Sequence, residues 1–259
     1  MSDQAYTPDE MMVVEAARHL SSDDVCFVGI GLPSTAANLA RLLHAPGIKL
    51  IYESGTIETR PSVLPLSIGD GELAETARAV VSVPEIFGYW LQGGRVTVGF
   101  LGAAQVDRFG NLNTTVIGAY DSPKVRLPGA GGAPEIAACA GETFIMIRQS
   151  MRALVNKLDF ISSPGHLDGG NARARLGLKG KGPTRLITDL GVMEPHPETR
   201  AFELTALYPG VTVDQVRAAT GWPLQVRAEL STRNAPSAEE LSALRDLKAR
   251  TDAAHQGAA

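Results

Sequence analysis

The chain has 259 residues, 44% hydrophobic and 20% charged, with two cysteines and a formal net charge of -4. Length and apolar content suit an α/β fold with an ample core, and the acidic balance offers no basic surface for a phosphodiester backbone, which excludes nucleic acid as the expected partner. No apolar run reaches the roughly 18 residues a membrane helix needs, and no cationic stretch precedes an apolar one at the start, so a cytoplasmic location is expected.

Residues 1–7 carry no periodic pattern and read as a flexible tail. From Pro8 onward Met11, Val14, Ala17 and Leu20 recur at helical spacing, with acids in the first turn and Arg18-His19 at the end to match the helix dipole. Asp24 to Val28 reads as a short strand, and Gly29-Ile30-Gly31-Leu32-Pro33-Ser34 as a turn into a helix over Thr35 to Leu43. Such a turn offers backbone N–H groups to an anion. Glycine also serves any tight strand-to-helix turn, and without a third glycine and a distant acid this is no dinucleotide fingerprint. Ile48 to Tyr52 then predicts a buried strand that delivers one carboxylate, Glu53, and breaks at Gly55. Ligands of open parallel sheets lie beyond the carboxyl ends of strands, so Glu53 points toward the expected crevice. On pattern alone a solvated or capping carboxylate is the commoner fate.

Further on, Gly69-Asp70-Gly71 opens a helix, Val80 to Val83 is a short strand, and Pro84 to Leu91 a helix stopped by Gly93-Gly94. Val96 to Gly102 is a strand leading to a tight reversal, Asp107 to Asn113, whose Asp and Asn side chains can bond their own backbone. In Gly129-Ala130-Gly131-Gly132-Ala133, peptide N–H groups are unshielded and a helix follows from Pro134, an arrangement able to hold a developing oxyanion. Thr143 to Ile147 and Leu158 to Ser163 read as strands, Pro164 to Gly182 as a solvated surface loop or hairpin, and Arg185 to Met193 as strand and turn. Thr212 caps a helix over 213–220, Ser237 and Glu240 form a capping box, and 252–259 is a frayed tail. Cys26 and Cys139 read as buried free thiols, and no metal site is expected. With no repeat and no clean linker, residues 1–259 are taken as a single domain.

Four segments in this order carry a resemblance: Glu53-Ser54-Gly55 after an apolar strand, Ser67-Ile68-Gly69-Asp70-Gly71, Leu101-Gly102-Ala103-Ala104-Gln105-Val106-Asp107-Arg108-Phe109-Gly110-Asn111-Leu112-Asn113, and Gly129-Ala130-Gly131-Gly132-Ala133. Together, over about Thr7 to Gly221, the chain resembles the β (B) subunit of class I coenzyme A-transferases. Within that family it lies nearest the branch acting on 3-oxoadipate, then the glutaconate branch. The resemblance implies an open, mostly parallel α/β sheet flanked by helices. It also implies Glu53 as catalytic nucleophile, CoA thioesters as substrates with no tightly bound cofactor, and an A subunit completing an A2B2 or larger assembly. Gly129, Gly131, Gly132 and Ala133 match the family's glycine motif, with an oxyanion role, CoA contact and simple turn geometry all open. Where related 3-oxoacid transferases carry Asn after the glutamate, this chain has Ser54, as in the glutaconate-like branch, which leaves the acceptor open. Succinyl-CoA is the implied donor and 3-oxoadipate the implied acceptor. Arg60 and Arg108 are candidates for its distal carboxylate, and cations of Pro164 to Gly182 for a CoA phosphate or a partner subunit. The alternatives are a glutaconate-type or other dicarboxylate transferase, an acyl-CoA hydrolase on the same scaffold, and a non-catalytic sensing subunit.

Overall fold

The computed structural model describes residues 6–256. They form two compact units, one of residues up to Phe100 and from Ala235 onward, the other Leu101–Asn234. Of the expected tails, 1–5 and 257–259 lie outside the described residues. Thr7 is a helix cap and 252–256 are helical, so those parts of the tails are ordered elements.

In the first unit α1 (Pro8–Arg18) starts with a capping box, in which the Thr7 hydroxyl accepts from the Glu10 N–H and the Glu10 carboxylate accepts from the Thr7 N–H. Then come β1 (Val25–Val28), α2 (Leu32–Leu42), β2 (Lys49–Tyr52), β3 (Thr56–Ile57), α3 (Gly71–Glu75), β4 (Ala79–Val80), α4 (Val83–Glu85) and β5 (Val98–Leu101). The strand order is β5-β1-β2-β3-β4. β1 runs parallel to β5 and β2, while β2, β3 and β4 pair antiparallel. The helix expected over 84–91 is α4 continued by a π-helical stretch, Ile86–Gln92. Its wider turn puts Ile86 and Leu91, five residues apart, both into the core.

The second unit opens with two hairpins, β6 (Gln105–Val106) with β7 (Leu112–Asn113) and β8 (Val116–Ala119) with β9 (Ser122–Arg126). After α5 (Ala133–Cys139) come β10 (Glu142–Met146), α6 (Ala172–Arg175), β11 (Pro183–Ile187), β12 (Gly191–Pro195), β13 (Phe202–Leu207), α7 (Val213–Ala218) and β14 (Val226–Thr232). Their order is β14-β13-β12-β11-β10, parallel for β10/β11 and β13/β14 and antiparallel for β11/β12 and β12/β13. The chain then returns to the first unit as α8 (Ala238–Gln256). There Arg18 grips Glu240 with two hydrogen bonds of 2.7 Å, and Arg245 donates to Glu10 at 2.8 Å. The α/β class, an open and mostly parallel sheet with flanking helices, matches the sequence reading.

Three details differ from it. Leu158 to Ser163 is no strand: only Ser163 bridges, to Leu112, and Ile161 is 51% exposed, so the run lacks the buried face a strand needs. Pro164 to Gly182 is largely exposed, as a surface loop should be, but it carries the short helix α6 and is anchored by buried Gly165, His166, Ala172 and Arg173. Cys26 is buried, but Cys139, the last residue of the short α5, is half-buried; both are free thiols.

Candidate functional site

Glu53 owes its position to the last residue of β2. Tyr52 is fully buried, and its hydroxyl shares a hydrogen bond of 2.8 Å with Ser34 Oγ and accepts from Asn38 Nδ2 at 3.4 Å. Asn38 Oδ1 in turn accepts from Arg41, whose Nη2 also donates to the Pro61 carbonyl at 2.7 Å. Ser34, Asn38 and Arg41 lie at i, i+4 and i+7, one polar stripe on α2 that fixes the helix over β2. Burial pushes the Tyr52 phenol up to about 12, which keeps it a neutral donor and acceptor. This network carried no signal in the motif reading, although the polar stripe on a small-residue helix was there to be seen.

Immediately after Tyr52 the chain turns. The Gly55 N–H donates to the Tyr52 carbonyl at 3.0 Å, and the Gly55 carbonyl accepts from Val81 N–H at 2.9 Å. Gly55 has φ +102, and a β-carbon there would overlap the Val81 carbonyl oxygen, so no other residue fits. Glu53 is thereby held at the corner of a tight β2–β3 hairpin. It is half-buried, and among the described residues no ion pair or hydrogen bond occupies its carboxylate. The hydroxyls of Ser54 and Thr56 flank the turn as buried groups without a hydrogen-bond partner.

The parallel register ends with Val28, the residue before the first glycine turn, beside Tyr52, the residue before Glu53. The first glycine turn and the carboxylate thus share one edge, beyond the carboxyl ends of adjacent strands. Gly31 is the cap of α2 with φ +84, no side chain caps this helix, and nothing lies within 4 Å of where a β-carbon would be at Gly29 or Gly31. The N–H groups of Ile30, Gly31 and Leu32 find no acceptor among the described residues. An uncapped eleven-residue helix with open space above it has the field and the donors to receive an anion.

Arg60 is not brought to this edge. Its Nη2 donates to the Pro46 carbonyl at 3.1 Å, ahead of the amino end of β2, while Glu53 follows the carboxyl end. Strand residues rise about 3.3 Å each, so on the order of 10 Å or more separates the two.

In the second unit, Gly129 has φ +107 and Gly131 φ +51, and neither would meet anything within 4 Å through an added β-carbon. Gly129 N–H is taken by the Thr114 carbonyl and Ala133 N–H by Ala130. Those of Ala130, Gly131 and Gly132 have no acceptor among the described residues. Gly132 begins α5 without a side-chain cap. Arg108 is exposed with its guanidinium over the Phe109 ring at 4.8 Å, and the turn beside it is built as expected, with Asp107 Oδ1 accepting from Phe109 and Asn111 N–H. Among the described residues no group of three or more His, Cys, Asp or Glu side chains is arranged to hold a metal ion.

A carboxylate at a strand end beside an uncapped helix, on an α/β scaffold, defines the class: an α/β enzyme fold with an unpaired acid and backbone donors. The chain belongs to the coenzyme A transferase family, whose model matches residues 10–219. It is 62% identical to the B subunit of 3-oxoadipate CoA-transferase from Pseudomonas knackmussii, over 97% of this chain and 96% of that one. Among solved structures it resembles glutaconate coenzyme A-transferase of Acidaminococcus fermentans, with a TM-score of 0.88 and 34% identity over 93% of this chain and 94% of the other. It also resembles the decarboxylase AibA/AibB, with a TM-score of 0.81 and 28% identity over 95% and 98%. The scaffold therefore hosts more than one chemistry, and the site residues must carry the functional argument.

Proposed function

We propose that this chain is the B subunit of a transferase that moves CoA from succinyl-CoA to 3-oxoadipate, in the catabolism of aromatic compounds, and that Glu53 is its nucleophile. The 62% identical relative supports the substrates. The observation that carries the chemistry is the Glu53 carboxylate, half-buried, fixed by a turn only glycine can make, and without an internal partner among the described residues. An acid neutralised by a lysine or arginine is a poor nucleophile; this one is free to attack.

The carboxylate attacks the thioester carbonyl, and CoA leaves as thiolate to give an acyl-glutamyl anhydride. The thiolate then attacks the glutamyl carbonyl, which releases the donor acid and leaves a glutamyl-CoA thioester. The acceptor carboxylate reverses the two steps and departs as its CoA ester. Two modest barriers replace one high one. Each tetrahedral intermediate develops an oxyanion, for which the Gly29–Leu32 turn on the Glu53 edge offers N–H donors, one well-placed donor being worth ~3 kcal/mol. The Gly131–Gly132 peptides of the second unit are open N–H donors of the same kind, suited to an oxyanion or to CoA contact. The anhydride survives only if water is excluded, a task for an A-type partner, since the relatives are named as B subunits. The assembly is A2B2 or larger, the location cytoplasmic, and CoA thioesters serve as substrates without a resident cofactor.

The co-expressed A and B pair, incubated with succinyl-CoA and reduced with borohydride, should lose activity and carry a modified Glu53. Glu53→Gln should lower kcat on the order of 10⁴-fold or more. Steady release of free succinate and CoA, with no reducible thioester, would instead identify a hydrolase in which Glu53 activates water.

A further inference from the structure

Tyr52 reaches both halves of the Glu53 edge. Its carbonyl accepts from the Gly55 N–H at 3.0 Å and so closes the turn that presents the carboxylate. Its hydroxyl, at the other end of the residue, bonds Ser34 Oγ at 2.8 Å in the first turn of α2. That turn is itself stiff, because the Gly31 carbonyl accepts both the Thr35 N–H and the Thr35 hydroxyl, each at 3.0 Å. Ile30 to Leu32, whose N–H groups stand open, are therefore tied through Ser34 and Tyr52 to the turn at Glu53.

The tie is made of buried polar groups. Tyr52 and Asn38 are fully buried and Ser34 is 1% exposed. Asn38 Nδ2 donates to the Ser34 carbonyl at 3.0 Å, and the amide is fixed in orientation because Arg41 donates to its Oδ1 from Nε at 3.2 Å and from Nη2 at 3.1 Å. Arg41 also reaches the Pro61 carbonyl at 2.7 Å, so the chain is fastened to α2 both before Glu53, at Tyr52, and after it, at Pro61. For stability alone this arrangement is a poor choice. Polar side chains buried between a helix and a sheet contribute little more than apolar groups of the same shape, and each becomes a penalty once its partner is lost. What a satisfied polar network adds over an apolar contact is a single register. A ring without the hydroxyl would fill the same space but would not fix how far α2 stands along β2.

We propose that Tyr52 is a positioning residue for the transfer reaction: its phenol and carbonyl hold the N–H donors at the start of α2 in register with the Glu53 carboxylate, so that nucleophile and donors meet the thioester as one unit. This rests on the transferase reading of Glu53. A transition state that needs an attacking oxygen and its stabilising donors at once is sensitive to their separation, and a misplacement of about 1 Å costs on the order of 100-fold in rate.

Tyr52→Phe and Ser34→Ala, each in the B chain co-expressed with its A subunit, test this. Each should lower kcat by about 10- to 100-fold and leave KM for succinyl-CoA within about threefold of wild type, because both side chains are buried away from substrate. The double variant should be no slower than the slower single one, since both substitutions cut the same link. Arg245→Ala removes an ion pair between α8 and α1 in the same unit and should lose stability while keeping the wild-type kcat. A second readout needs no turnover. In Tyr52→Phe the amides of Thr35 and Gly55, one in each half of the edge, should both exchange about fivefold faster or more. A wild-type pair that forms no borohydride-reducible thioester at Glu53 would overturn the glutamyl chemistry, and the exchange measurement would still decide whether Tyr52 couples the two halves. The proposal is overturned if Tyr52→Phe turns over at the wild-type rate, if its loss lies in KM or is matched by Arg245→Ala, if the two single losses multiply, or if only one of the two amides responds.

Discussion

The two glycine turns that matter use glycine for opposite reasons. At Gly55, in the first unit, a β-carbon is forbidden by what is already there, the Val81 carbonyl oxygen. At Gly129 and Gly131, in the second unit, a β-carbon would meet nothing, and the peptide N–H groups of Gly131 and Gly132 stand without acceptors among the described residues. One glycine exists so that the backbone can close upon itself and hold Glu53 at a corner. The others leave peptide N–H groups uncovered by any side chain. A glycine count alone does not separate these cases; the surroundings of the absent β-carbon do.

Substitution at each turn should separate them. Gly55→Ala should destabilise the chain by about 3 kcal/mol or more, through overlap and an unfavourable φ together, or prevent folding, as read by urea unfolding. Gly131→Ala should change stability by only about 1 kcal/mol, since φ +51 is a left-handed geometry that alanine enters at modest cost. In the A and B pair it should lower kcat by about 10- to 100-fold, because the added methyl stands over the open N–H groups. If Gly55→Ala unfolds at the wild-type urea concentration, or Gly131→Ala turns over at the wild-type rate, the distinction is wrong.

The Glu53 strand was legible because its signal is local. Five consecutive positions from Ile48 to Tyr52, all but Lys49 apolar or aromatic, end at a lone acid, and a glycine follows two residues on. The caps at Thr212 and Ser237 and the Asp107 turn were legible for the same reason, as each is settled within four residues. What the sequence hid was non-local. Arg173 looks like one more cation in a basic loop, and its burial depends on carbonyls contributed by residues 137, 165 and 179. The need for glycine at 55 comes from Val81, across the hairpin partner of the next strand. Arg60 follows Glu53 by seven residues, close enough in sequence to suggest a shared site. The antiparallel return of β3 carries it instead to the other end of β2.

Each unit also holds a largely enclosed carboxylate, and the responses of the two to acid should diverge, which extends the comparison beyond the turns. Glu10 is held at about 2 chiefly by its hydrogen bonds to Arg245. A carboxyl with a lowered folded pKa adds stability that is fully present above its unfolded value near 4.5 and is lost as pH falls toward about 2. Asp107 is shifted the other way: burial outweighs the donors from Asn111 and Phe109 and raises its pKa above the ordinary value of 3.8. Its ionisation therefore opposes folding above that value, and acid relieves the opposition. Between pH 5 and pH 3, amide exchange corrected for its intrinsic rate should accelerate in α1 by roughly three- to tenfold, while the Asp107–Asn111 turn holds or slows. In Arg245→Ala the α1 response should largely disappear, because the partner that depresses the Glu10 pKa is gone. An equal acceleration in both places would mean that acid opens the chain as one cooperative whole, and that neither carboxylate acts within its own unit.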